Sequence, residues 1–194
     1  MANQLLIALV TLPLLSSVLT ALFLRRSPGP ARGVALVGTA ATALCATALV
    51  PFLGDDPGLA VHWLPGTGPM RFGLTATGLF VALVTAWAAF LTLLGTTSAE
   101  TDTAPPVLAL VLLALSASNA AFLSEHFLAR YVALEIVALS IALAPLVELE
   151  GDRAARGFWL VYVILRLGDI GLLSTIKILL AASGTLEISP ALEA

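Results

Sequence analysis

Four ionisable side chains lie deep inside long apolar runs of this sequence: Glu135, Arg166, Asp169 and Lys177. At the centre of a bilayer each would cost about 2.5 to 3.5 kcal/mol on insertion scales, so each is expected to face protein or water and to have a partner. Arg166 and Asp169 are three positions apart, which puts them on one helix face and lets the guanidinium reach the carboxylate. At 100° per residue, Lys177 falls about 20° from Arg166 around the same helix, giving one polar stripe. Glu135 follows Phe127 by eight residues, or about 12 Å of helix, close to the middle of the hydrocarbon. Facing that stripe from the neighbouring run, it is placed to exchange protons beside mobile cations. A plainer reading of the same residues is a static Arg166–Asp169 pair that fixes helix packing, a Lys177 that snorkels to the interface and a Glu135 bonded to a nearby hydroxyl.

The other polar residues carry weaker chemistry. Glu125, His126 and Arg130 cluster between the fourth and fifth apolar runs. Glu125 and His126 are candidates for an outer proton relay, although a lone interfacial histidine is more commonly structural or solvated. His62 is no stronger a candidate. Ser116, Ser118 and Asn119 form a polar patch that reads as helix packing. Trp87, Phe90, Trp159 and Tyr162 are expected to set depth or fill grooves, and no quinone site follows from them. Cys45 is the single cysteine, which excludes an internal disulfide, an iron–sulfur site and a thiolate zinc site within this chain. Phosphate-loop, hydrolytic-triad and His-x-x-x-His signatures are absent, so no metal is expected, and any redox cofactor belongs to a partner.

These residues are carried by an all-α, polytopic membrane bundle. The 194-residue chain is 59% hydrophobic and 11% charged, with net charge −3, and its mean hydropathy is +1.04, far from the composition of a soluble domain. No basic stripe supports nucleic-acid binding. Six runs approach the length of about 20 residues needed to cross a bilayer: 4–24, 33–53, 73–95, 105–123, 127–147 and 157–182. Ser27-Pro28-Gly29-Pro30, Asp55-Asp56-Pro57-Gly58 and Ala104-Pro105-Pro106 punctuate them. The second connection, 54–72, is the longest, and around His62, Trp63 and Pro65 it is expected to form a short interfacial hairpin anchored by Trp63. Arg25 and Arg26 follow the first run, and no basic residue precedes it, so it reads as an uncleaved anchor. Arg25, Arg26, Arg32, Arg153 and Arg156 fall on one side, against Arg71 and Arg130 on the other, which predicts that both termini lie outside. Residues 1–194 read as a single membrane domain, without internal repeats.

Two stretches resemble the antiporter-like proton-pumping subunits of respiratory complex I. Ser124-Glu125-His126-Phe127-Leu128-Ala129-Arg130-Tyr131-Val132-Ala133-Leu134-Glu135 and the Leu- and Ser-containing run after it resemble that family's passage from fourth to fifth helix. Leu165-Arg166-Leu167-Gly168-Asp169-Ile170-Gly171-Leu172-Leu173 resembles its sixth-helix Arg-x-Gly-Asp motif, and Gly184-Thr185-Leu186-Glu187-Ile188 the link that follows. Phe72-Gly73-Leu74-Thr75-Ala76-Thr77-Gly78 is a looser match, with Thr77 where the family has Asp. Leu134 stands where an aromatic is common, Leu160 stands where a lysine is often found, and Lys177 is not expected from the family.

The resemblance implies that Glu135 is the central proton-exchanging carboxylate and that Arg166 and Asp169 form the pair that modulates it. It points to the large distal subunit of NADH–quinone oxidoreductase, a translocase in which this chain would carry no redox group. Relatives in multisubunit cation/proton antiporters and energy-coupled inorganic-carbon uptake systems share the pattern. Members have at least twice as many helices, so the expected partners are other membrane subunits, among them one supplying the remaining helices. The expected location is a bacterial or archaeal inner membrane. The competing expectation, from another functional class, is a non-conducting structural subunit.

Overall fold

The computed structural model describes residues 1–23, 26–54, 59–61, 70–98, 104–149 and 151–188. The helices, in chain order, are α1 (Ala2–Leu22), α2 (Pro28–Leu49), α3 (Ala76–Ser98), α4 (Pro105–Leu123), α5 (Phe127–Glu148) and α6 (Gly151–Ser183). A short 3-10 turn, Val50–Phe52, extends α2. Strands β1 (Leu59–Val61) and β2 (Met70–Phe72) pair antiparallel, with Ala60 opposite Arg71. They supply the hairpin expected in the second connection, whereas His62 and Trp63 lie outside the described residues, as does Arg25. Five helices, α1 to α5, are long and apolar enough to cross a membrane. Helix α6, the sixth expected span, is longer, at 33 residues, but is not among these five; it carries Arg166, Asp169 and Lys177 along its length.

Two boundaries differ from expectation for local reasons. Pro28 starts α2 instead of ending a loop, because proline fits the first turn of a helix, where its missing N–H has no intrahelical partner to lose. Helix α6 begins at Gly151, six residues before the expected apolar run, with Asp152 in its first turn, where a carboxylate complements the helix dipole.

Helices α1 to α4 form the packed base, α5 lies on α4, and α6 lies chiefly on α5. The base is dense because its facing surfaces are small. Ala31, Ala35, Gly38, Thr39, Thr42, Ala43 and Ala46 form the buried face of α2, and small faces of this kind let helix backbones approach closely in membranes. At Gly78, where α3 meets α4, a Cβ would come within 2.6 Å of the Phe122 carbonyl oxygen.

Pro13 lies inside α1, and it frees the Leu9 carbonyl four residues back, which proline cannot engage. Asn119 Nδ2 donates to Leu9 O at 3.0 Å, and Ser116 Oγ donates to the adjacent Val10 O at 2.7 Å. The polar patch of α4 therefore repairs a proline defect in α1, and its role is packing, as its residue types suggest. Asn119→Leu strips that donor from a fully buried carbonyl and is expected to lower stability by about 0.6 to 2 kcal/mol. Thermal unfolding in detergent checks this; an unchanged transition would contradict the repair.

One end of the bundle is closed by extended segments. Glu125 N donates to Arg71 O at 2.8 Å, and Gly73 N donates to Leu123 O at 2.9 Å. Phe127 N donates to Leu186 O, and Ile188 N to Glu125 O, each at 2.9 Å. The segments 70–73, 124–127 and 186–188 thus lie side by side, with single antiparallel bridges at Phe72–Ser124 and His126–Glu187. Gly184, at φ 70°, turns the chain out of α6 toward this platform, a left-handed conformation suited to glycine. The start of α1 packs near the same end, where Leu6, Ile7 and Val10 line a small cavity with Leu59 and Phe72.

Candidate functional site

Helices α5 and α6 run antiparallel and meet at three levels. Near one end, a Cβ on Gly157 would lie 3.0 Å from Pro145, so the glycine allows close approach. At the other end are the backbone bonds between 125–127 and 186–188. Between them lies the polar cluster.

The cluster joins four residues. Arg166 grips Glu135 as a two-pronged fork: Nη1 donates to Oε1 at 2.6 Å, and Nη2 meets Oε2. Nη1 also lies 3.1 Å from Asp169 Oδ2, one helical turn away on α6. Tyr131, one turn before Glu135 on α5, donates its hydroxyl to Oε1. The Arg166 guanidinium rests over the Tyr162 ring, 5.0 Å from its centroid, a cation–π contact that favours the charged guanidinium. Tyr162 is itself stacked on Phe158. The Glu135 and Asp169 side chains are 15% and 18% exposed, against 32% for Arg166. Two carboxylates therefore share one guanidinium between α5 and α6, and both are more enclosed than the guanidinium they share.

Sequence reasoning placed Glu135, Arg166 and Asp169 by depth and helical phase, and the structure brings all three together. It missed Tyr131 and the platform under Arg166. A signal for the first was present, since Tyr131 and Glu135 are four residues apart on one helix.

Lys177 is not in the cluster. It is exposed, with no hydrogen bond or ion pair among the described residues, about 16 Å along α6 from Arg166. Glu125 and His126 lie at the platform instead. His126 is completely buried, and its Nδ1 caps α5 by accepting from Ala129 N at 3.4 Å. The Glu125 side chain lies across Gly73, where a Cβ would overlap it. Arg130 is likewise occupied at this end: Nε donates to Ala121 O at 3.1 Å and Nη2 to Ser124 O at 2.8 Å. It thereby satisfies the carbonyls at the end of α4, where a cation is favoured.

Five apolar helices of membrane-spanning length define the class as a multi-pass membrane protein. No family model matches the sequence, and no curated protein matches it. Solved structures do. The chain superimposes on a subunit of the membrane-bound sulfane sulfur reductase, an archaeal respiratory membrane complex, with TM-score 0.75 and 20% identity over 93% of this chain. It superimposes on a subunit of the Mrp complex from Dietzia sp. DQ12-45-1b with TM-score 0.74 and 20% identity over 96% of this chain. The chain therefore shares its fold with part of each of these two membrane-complex chains. This chain spans 28% and 35% of the length of those two neighbours.

Replacing Arg166 alone by Met strands two carboxylates, whereas replacing Glu135 by Gln at the same time relieves most of the conflict. The single change is expected to cost about 3 kcal/mol, at the low end for a broken buried pair because Arg166 is partly exposed. The double variant should recover at least half of that in thermal unfolding. Strict additivity of the two changes would show that the fork contributes nothing.

Proposed function

We propose that this chain is a membrane subunit that takes part in proton translocation within a larger assembly, of the complex I-like NADH–quinone oxidoreductase kind. One observation carries the reading: a single guanidinium, on α6, bridges a carboxylate on α5 and a second on its own helix. With both carboxylates ionised the cluster has one negative charge in excess, and one proton neutralises it. If the fork swings toward Asp169, Glu135 loses its counter-charge and takes up a proton; the return of the fork expels it. Glu135 is thus the exchanging group, Arg166 the moving counter-ion and Asp169 its alternative seat. The cycle needs no redox chemistry in this chain, because a partner that moves α6 against α5 biases which seat Arg166 occupies.

Lys177, exposed and far along α6, has no proton-carrying part in this reading, and neither have Glu125 and His126, which are engaged at the platform. The partners proposed are membrane subunits that cover the outer face of α6, where Leu160, Ile164, Leu167 and Ile178 are exposed, and that supply helices this chain does not contain. The platform end, with the start of α1, is proposed to face outside, in a bacterial or archaeal inner membrane. A cation/proton antiporter assembly is the second reading, favoured by the likeness to a subunit of the Mrp complex.

Glu135→Gln in the intact assembly is expected to lower proton transport into vesicles by about a hundredfold or more, with complex yield unchanged. Wild-type transport would overturn the proposal. Asp169→Asn, in the same assay, should lower the rate more than the yield; loss of yield alone would identify a structural subunit. Mass spectrometry of the complex purified through a tag on this chain separates the two readings, because flavin and iron–sulfur subunits at stoichiometric levels mark the first, and their absence beside small membrane subunits marks the second.

A further inference from the structure

Glu135 receives two kinds of hydrogen bond, and they come from different helices. The guanidinium fork is on α6 and moves with it. The Tyr131 hydroxyl is on α5, one turn from Glu135, and moves with the carboxylate it serves. We propose that Tyr131 is a positioning residue for Glu135: its phenol aims the carboxylate at α6, remains bonded to Oε1 when Arg166 departs, and so leaves Oε2 as the atom that takes the proton. This deepens the reading of Glu135 as the exchanging group and rests on it.

The distribution of donors carries the argument. Oε1 accepts from both Tyr131 and Arg166 Nη1, whereas Oε2 is met by Arg166 Nη2. Withdrawal of the fork therefore bares Oε2 and leaves Oε1 engaged. Around Glu135, α6 contributes Arg166, Asp169 and Tyr162, and α5 contributes Tyr131; α4, on the other side of α5, carries no ionisable residue. The nearest hydroxyl on the following turns of α5, that of Ser140, is spent on Ile136 O at 2.7 Å. Among the described residues Tyr131 is thus the one hydroxyl that donates to this carboxylate. A phenol that donates to a carboxylate favours its ionised form. It sets how readily Glu135 is protonated after Arg166 has moved, a property that simple space-filling by the ring would not give it.

The test is a pH titration of the protonated Glu135 carboxyl stretch by infrared difference spectroscopy, on the complex purified through a tag on this chain. The band is isolated by subtraction of the Glu135→Gln spectrum. Tyr131→Phe keeps the ring and removes the donor, and it is expected to move the midpoint about one to two pH units toward alkaline. A 3-fluorotyrosine at position 131, with a more acidic hydroxyl, should move it the opposite way, which also guards against a packing artefact in the phenylalanine variant. Unchanged midpoints in both would overturn the part given to Tyr131. A wild-type band that does not titrate at all would instead overturn the reading of Glu135 itself.

Discussion

The structure is organised around one charge imbalance: two carboxylates, Glu135 and Asp169, hold a single guanidinium between α5 and α6. In water such an arrangement would be worth little, because exposed ion pairs contribute about 0 to 1 kcal/mol. Inside a bundle it decides how the helices sit, since an ionisable group left there without a partner is costly. The pair also ties α6 to α5 through charge, beyond its apolar contacts. Its dominant packing partner is α5, and its outer face, with Leu160, Ile164, Leu167 and Ile178, is apolar and exposed.

The remaining helices supply what such a cluster needs, a fixed reference. The small buried face of α2 and the close approach at Gly78 make α1 to α4 a dense base. The Pro13 defect in α1 is answered by Ser116 and Asn119 from α4, which ties the first helix to the fourth with directional bonds as well as contacts. On that base, α5 is anchored at its start by the His126 cap and by Arg130, whose guanidinium binds the end of α4. Helix α6 is held through α5 and through the 186–188 platform. A displacement of α6 is therefore felt at the Arg166 fork before it is felt in the base.

Much of this was legible in the sequence. Long apolar runs gave the helices, and ionisable residues in those runs gave Glu135, Arg166 and Asp169, because charge in hydrocarbon has few places to be. The hairpin in the second connection and the packing role of Ser116 and Asn119 followed from residue type. What escaped were features set by tertiary geometry. Lys177 shares a helical phase with Arg166, but phase fixes direction and not depth along the helix, and the structure leaves it outside the cluster. His126 looked interfacial by position, yet the extended segments that cover it come from 70–73 and 186–188, far away in the chain. Tyr131 was passed over because a tyrosine near a helix start is ordinary, and only the placement of Glu135 gives its hydroxyl a task.

The central claim, that Glu135 changes protonation as Arg166 changes seat, is tested most directly by time-resolved infrared spectroscopy of the working complex with isotope-labelled glutamate. The account predicts a protonated-carboxyl band, absent in Glu135→Gln, that rises and decays once in each turnover. A Glu135 that stays ionised throughout, while transport proceeds at its full rate, would contradict it.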